Sequence, residues 1–165
     1  MPERGRGAAL ITGGARRIGR ALTRACADAG FDVAIHVRTI DDDAEAAAAD
    51  VRARGRRAHL LTCDLRQEAA TVALVGEAES ELGPVTLLVN NASVFEDDSL
   101  GSMNRASWDA HMETNLRAPL ILAQALAPRI RVNGIGPGPT LQSIHQEPDD
   151  FAAEAASTLL RRSVD

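Results

Sequence analysis

The sequence contains no lysine and no tyrosine, and all 18 of its basic residues are arginine. Aromatic residues make up 2% of the 165 residues, so a buried core has to be built from alanine, valine, leucine and isoleucine. The two cysteines, Cys26 and Cys63, lie far apart in predicted buried elements and form no C-x-x-C pair. This spacing argues against a disulfide or a metal site and favours reduced thiols in the cytoplasm.

Long apolar runs and an excess of basic residues are also missing. No run approaches the roughly 18 apolar residues of a membrane span, and no secretory leader is evident. The net charge of −5 and the pI near 5.4 argue against a surface for nucleic acid or anionic membrane. Because hydrophobic residues still make up 45% of the chain, we expect one globular, cytoplasmic domain over residues 1–165.

Two kinds of apolar pattern alternate along the chain. Short apolar runs predict strands at 8–12, 33–37, 58–63 and 85–89, and helical spacing predicts helices at 18–29, 41–55 and 68–82. Residues 107–127 predict a further helix that kinks at Pro119, and residues 130–133 predict a short last strand. The alternation indicates an α/β fold with a parallel sheet and crossover helices.

The junction of the first strand and first helix is rich in glycine and arginine. Gly13, Gly14 and Gly19 bracket a turn where backbone N–H groups and the helix dipole can receive a pyrophosphate. Such a turn can also be only a tight connection. Arg16 and Arg17 lie inside it, either as a solvated pair or as anion-binding groups, and the predicted phosphate site favours the second interpretation.

The end of the second predicted strand indicates which dinucleotide would bind. Many NAD-binding domains present an acidic residue to the ribose 2′-hydroxyl at the position that Val37 occupies here. Arg38 follows it, and an arginine at this place favours the 2′-phosphate of NADP.

Several motifs resemble the short-chain dehydrogenase/reductase superfamily. They are the segment TGGARRIG at 12–19, the segment NNAS at 90–93, Asn115, and Pro137 with Gly138. Arg17 stands where most members have a third glycine, and Phe95 closely follows the NNAS segment, which resembles the pteridine reductase branch. The resemblance implies a Rossmann-type doubly wound parallel sheet, incomplete here, with about five strands in the order 3-2-1-4-5.

The resemblance also implies roles for individual residues around NADP(H). The expected cofactor-binding residues are Thr12, Gly13, Arg16, Arg17, Ile18 and Gly19 near the pyrophosphate, Arg38 and Thr39 at the 2′-phosphate, Asp64 and Leu65 at the adenine, and Asn90, Ala92, Ser93, Pro137 and Gly138 further along. Phe95 would stack a pterin-like substrate over the nicotinamide. Alternatively, Phe95 packs on the core as a loop residue.

The catalytic set of the family is incomplete in this sequence. Members use an Asn, a Ser or Asp, and a Tyr and Lys in a Y-x-x-x-K helix, and only the Asn has a counterpart, Asn115. The interval between Asn115 and Gly138 is too short for the strand and two long helices that the family places there. No replacement acid stands out, because His111 is expected on the outer face of its helix, His145 in the tail, and residues 96–98 in a solvated loop.

Three functional hypotheses follow from these observations. The first is an NADP(H)-binding reductase whose hydride transfer to a pterin-like, carbonyl or imine substrate is impaired. The second is a non-catalytic dinucleotide-binding or regulatory protein, and the third is a truncated chain that folds poorly. Residues 142–165 would be a remnant of the family's substrate-loop region. The oligomeric state stays open, because the helices through which the family assembles are altered.

Overall fold

A computed structural model describes residues 6–96 and 99–127, together with Asp149 and Ala153. The described elements are β1 (Ala8–Thr12), α1 (Arg17–Asp28), β2 (Asp32–Val37), α2 (Asp42–Arg52), β3 (Ala58–Thr62), α3 (Glu68–Leu82), β4 (Val85–Val89), α4 (Arg105–Met112), a π-helical segment (Glu113–Arg117) and α5 (Ala118–Leu126). Residues 1–131 form one compact unit and residues 132–165 a second. The predicted strand at 130–133, Pro137, Gly138 and His145 lie outside the described residues.

The four described strands form one parallel sheet in the order β3-β2-β1-β4. This confirms the predicted Rossmann-type sheet and the order of its first four strands. Every residue of β1 is buried, as expected for the central strand of a parallel sheet covered on both faces. The order reverses between β1 and β4, which is where open α/β sheets bind ligands at their carboxyl edge.

Successive residues of β1 point into two separate cores. Leu10 packs in a core with α3 and α5, which includes the fully buried Leu122. Ile11 packs in the opposite core with α1 and α2, which includes Val51. This alternation follows from the two-residue period of a strand, and it places helices on both faces of the sheet. Aliphatic residues and alanine build both cores, as the scarcity of aromatic residues predicts.

The helix predicted at 107–127 begins earlier and contains a π-helical segment. It begins at Arg105 because Asn104 caps it: the Asn104 Oδ1 accepts the N–H groups of Ala106 (2.9 Å) and Ser107 (3.1 Å). The irregularity predicted at Pro119 lies at 113–117, immediately before the proline at the start of α5. The wider turn accommodates a residue without an N–H donor inside a continuous helical stretch.

The described helices are all short. None of those within residues 6–96 and 99–127 is long and apolar enough to cross a membrane.

Candidate functional site

The glycines after β1 allow α1 to approach the turn very closely. Gly13 has a φ of +63°, and a Cβ atom there would lie 3.0 Å from the Cα of Ala92. At Gly19, a Cβ atom would lie 2.0 Å from the carbonyl oxygen of Gly13, a distance that no side chain tolerates. The N-terminal turn of α1 therefore lies directly against the end of β1, as a phosphate-binding turn requires.

Thr12 and Asn91 join the end of β1 to the loop after β4. The buried Thr12 hydroxyl accepts the backbone N–H groups of Asn91 (3.0 Å) and Ala92 (3.1 Å). The Asn91 amide in turn donates to the carbonyl oxygens of Thr12 and Gly13, both at 3.0 Å. The structure thus commits the Thr12 side chain, expected near the pyrophosphate, to internal bonds. Asn91 was not among the predicted site residues, although the paired asparagines of the NNAS segment were a signal for it.

A cleft of about 550 Å³ opens at the carboxyl ends of the strands. Of the predicted cofactor residues, those that line it are Gly13, Arg16, Arg17, Ile18, Gly19, Arg38, Asp64, Leu65, Ala92 and Ser93. Thr39 lines a neighbouring recess of about 310 Å³ that also contains Gly13 and Arg38. Asn90 lines neither space, and its amide lies 3.5 Å from the Pro119 carbonyl oxygen. The fold therefore gathers most of the predicted residues at one edge of the sheet.

The two arginines of the turn have different surroundings. The Arg16 guanidinium bonds the carboxylates of Asp41 and Asp43, each at 2.6 Å, and these bonds raise its pKa. Its charge is thereby neutralised at the start of α2, and its part in anion binding stays a prediction. Arg17 lines the cleft and has a φ of +47°, a conformation that costs energy for a residue with a side chain.

The strand ends of β2 and β3 carry a second group of cleft residues. Asp64 accepts bonds from Arg66, which hold the pKa of its carboxyl at about 2, and the Arg38 guanidinium lies 3.8 Å from it. His36 lies in the floor, where its Nε2 donates to the Cys63 carbonyl oxygen at 3.2 Å and burial lowers its pKa. Arg66 and His36 were not predicted, because a single residue of either type forms no recognisable motif.

The Cys63 thiol also lines the cleft. Burial raises its pKa, so the sulfur is a protonated thiol at neutral pH, as expected for a packing cysteine. Cys26 and Cys63 are not joined in a disulfide. Within the described part of the chain, no three His, Cys, Asp or Glu side chains converge as a metal site would require.

The far wall of the cleft is a loop that the π-helical segment holds in place. The Asn115 side chain lies in that segment and makes two bonds of 2.8 Å to Val94, accepting its N–H and donating to its carbonyl oxygen. Val94 and Glu96 line the cleft, whereas Phe95 between them has 85% of its surface exposed. Phe95 therefore does not pack on the core, so that alternative for Phe95 is wrong.

The prediction that His111 lies on the outer face of its helix is wrong. His111 is half-buried, its Nδ1 donates to the Ser107 carbonyl oxygen at 2.8 Å, and its Nε2 accepts the Glu96 N–H at 3.0 Å. The residue precedes Asn115 by one helical turn, so both side chains face the same loop. The helical spacing does not show that the loop at Glu96 covers this side of the helix, and that is why the prediction for His111 failed.

Comparisons with known proteins agree with this architecture. The family model for short chain dehydrogenase matches residues 7–133. The 3-oxoacyl-acyl-carrier-protein reductase FabG of Staphylococcus epidermidis is 30% identical over 122 residues, which are 74% of this chain and 50% of that protein. The short-chain dehydrogenase/reductase eriH of Hericium erinaceus is 37% identical over 117 residues, 68% of this chain and 46% of that protein. The chain thus spans about half the length of these curated relatives.

Solved structures give the same result in three dimensions. The crystal structure of FolM alternative dihydrofolate reductase 1 from Brucella canis, complexed with NADP, matches with a TM-score of 0.85 and 35% identity over 96% of this chain and 82% of that chain. A blue fluorescent protein from a metagenomic library, in complex with NADPH, matches with a TM-score of 0.73 and 30% identity over 93% and 64%. The family model covers more than half of the sequence, and the described sheet has the order that the family resemblance implies. The chain therefore belongs to the short-chain dehydrogenase family.

Proposed function

We propose that the chain binds NADP(H) in the cleft at the carboxyl edge of the sheet. We further propose that its ancestral activity, hydride transfer from NADPH to a pterin-like, carbonyl or imine substrate, is impaired. The observation that carries the first proposal is the convergence of the Gly13–Gly19 turn and Arg38 on one cleft. We keep the single domain over 1–165 and the cytoplasmic location as parts of this proposal.

The residues present fit a dinucleotide phosphorylated on its ribose. Because Gly19 has no Cβ atom, the start of α1 lies against the Gly13 carbonyl oxygen, and this brings the N–H groups of the helix N-terminus to the cleft where a pyrophosphate would bind. At the end of β2, the buried Val37 offers no carboxylate to a ribose 2′-hydroxyl, while the exposed Arg38 lies beside the smaller recess. A guanidinium at this place favours a 2′-phosphate, which it can contact through two parallel N–H bonds.

The pterin-like substrate rests on Phe95 and on one structural neighbour. The Brucella canis neighbour is named an alternative dihydrofolate reductase, and dihydrofolate contains a reduced pterin ring. In this chain Phe95 is 85% exposed beside the cleft, where a flat ring could stack on it. The relatives by sequence include a 3-oxoacyl-acyl-carrier-protein reductase, so the sequence comparison does not itself favour a pterin-like substrate.

Impairment follows from the groups that the chain can supply for proton transfer. Bound NADPH would supply the hydride, while the protein has to deliver a proton to the substrate, and the family uses a tyrosine for that step. No tyrosine or lysine occurs in the 165 residues, and both polar atoms of the Asn115 amide already bond Val94. Losing general acid catalysis typically slows a reaction by about 10² to 10⁴.

Fluorescence titration with NADPH and NADH tests the binding proposal. We expect Arg38→Ala to weaken NADPH by about tenfold or more and to leave NADH unchanged, because only NADPH carries the 2′-phosphate. Arg105→Ala is the matched control, since Arg105 bonds only Asp109 of the same helix among the described residues. Equal losses for both dinucleotides, or no binding by the unaltered chain, would contradict the proposal.

Turnover separates the impaired reductase from a non-catalytic dinucleotide-binding protein. NADPH oxidation with a dihydropterin at high protein concentration supports residual reductase activity, and binding without any oxidation supports the non-catalytic alternative. The commitment of the Asn115 amide to Val94 favours that alternative. A thermal melt without a cooperative transition would favour the poorly folded alternative over both.

A further inference from the structure

The carboxylate expected to contact adenine is already occupied in the structure. Asp64 lies two residues beyond β3 and accepts three N–H groups of Arg66, one of them shared between its two oxygens. The Arg66 backbone N–H and its Nε each lie 3.0 Å from Oδ1, Nε also lies 3.0 Å from Oδ2, and Nη2 lies 2.5 Å from Oδ2. Since three N–H groups already bond this carboxylate, Arg66 is its main partner in the structure.

A second arginine approaches the same carboxylate from the neighbouring strand. The Arg38 Nη2 lies 3.8 Å from the Asp64 Oδ2, and all three residues line the cleft. The Asp64 side chain is 24% exposed, whereas those of Arg38 and Arg66 are 76% and 45% exposed. The carboxylate is therefore the inner member of the cluster, and the two guanidinium groups are the members that a ligand meets.

The two arginines differ in what they can offer to a nucleotide. Arg66 is held edge-on by Asp64 through its Nε and Nη2, and 45% of its side chain is exposed at the cleft. A guanidinium plane stacks well on an aromatic ring and binds it by cation–π attraction. Arg38 has one long contact to Asp64 and keeps its N–H groups for an anion.

We propose that Arg66, positioned by Asp64, forms the wall of the purine subsite and stacks on adenine, while Arg38 receives the 2′-phosphate. This proposal rests on the proposed binding of NADP(H). It assigns Asp64 to the orientation of both arginines instead of to direct contact with the base. Arg66 then contributes to every adenine nucleotide, and Arg38 contributes only to those that carry a 2′-phosphate.

Three small probes isolate the subsites when their affinities for the full chain are measured by calorimetry. The probes are 5′-AMP, 2′,5′-ADP and inorganic pyrophosphate, which respectively contain the purine, the purine with a 2′-phosphate, and neither. The variants are Arg66→Ala, Arg66→Lys, Arg38→Ala and Asp64→Asn, with Arg105→Ala as the control. Thermal melts check that each variant folds. If Arg66→Ala does not fold, Arg66→Lys, which keeps the positive charge, takes its place as the test variant.

We expect Arg66→Ala and Arg66→Lys to weaken both purine probes by about threefold to tenfold and to leave pyrophosphate unchanged. Asp64→Asn should weaken both purine probes in the same direction, since it loosens the guanidinium that stacks. Arg38→Ala should weaken 2′,5′-ADP alone. Unchanged 5′-AMP affinity in Arg66→Ala, or full retention in Arg66→Lys, overturns the stacking role and leaves NADPH binding intact. Failure of the unaltered chain to bind NADPH overturns the proposed function as well.

Discussion

Replacement of Thr12 by valine should destabilise the domain through the loss of one hydroxyl group. Valine has nearly the shape of threonine, so it leaves no cavity beneath the fully packed end of β1. The Thr12 hydroxyl accepts the N–H groups of Asn91 and Ala92 at 3.0 and 3.1 Å, and valine leaves both donors without that partner. Each buried donor without a partner costs about 1–3 kcal/mol.

These two donors are half-buried, so we take the lower part of that range for each. The free energy of unfolding of Thr12→Val should then fall by about 3 kcal/mol in total. For a chain of this length, that loss lowers the melting temperature by roughly 6–12 °C. Thr12→Ser is the matched control, because it keeps the hydroxyl and removes one methyl group at a cost of about 1 kcal/mol.

Urea unfolding followed by circular dichroism measures both variants against the unaltered chain. The same samples should show weaker NADPH binding in Thr12→Val, because the bonds of Thr12 hold Gly13 against Ala92. If Thr12→Val and Thr12→Ser unfold within about 0.5 kcal/mol of each other, the hydroxyl does not hold the two loops together, and the reasoning is refuted.

Three further predictions concern other parts of the site. Gly19→Ala should prevent cooperative folding or lower the melting temperature strongly, because its Cβ would lie 2.0 Å from the Gly13 carbonyl oxygen. Gly76→Ala is the control, since a Cβ atom there meets no other atom within 4 Å. Equal melting temperatures for the two variants would contradict the prediction. Asn115→Ala should raise hydrogen exchange at the Val94 amide by tenfold or more, and unchanged exchange in mass spectrometry would contradict the 2.8 Å bond. Asp64 has a folded pKa of about 2, below its ordinary value of 3.8, so its bonds stabilise the fold above pH 4 and are lost as the pH falls toward 2. After allowance for solvent, this is about 1 kcal/mol, and Asp64→Asn should flatten the acid limb of a stability profile between pH 5 and 2.

The strands could be predicted closely because the core imposes their pattern. Residues 8–12 and 85–89 are strands as predicted, and β2 begins one residue earlier than predicted, at Asp32. The predicted strand follows the apolar run, which begins at Val33, after the polar Asp32. In the structure its carboxylate accepts the Arg57 N–H at 3.0 Å and pairs with Arg56, so an acidic residue is tolerated at the start of a buried strand.

The site could be predicted where function depends on the backbone and less well where it depends on side-chain partners. The glycines of the turn gave a local signal, because only glycine permits that approach. The partners of Arg16, Asp64 and His111 depend on what lies opposite each side chain. Arg16 bonds Asp41 and Asp43 at the start of α2, which follow it by more than twenty residues, and residues so far apart in the sequence give no local signal of a contact.

Nucleotide binding and catalysis depend on separable parts of this fold. The groups that we propose for the nucleotide come from the loops after β1, β2 and β3. The glycines are placed by close approach, Arg66 by Asp64, and the turn by the bonds of the Thr12 hydroxyl to the loop after β4. None of these contacts involves the Tyr and Lys that the family uses for proton transfer. Binding can therefore persist where those two residues are missing, and the affinity for NADPH and the rate of its oxidation become independent measurements on this chain.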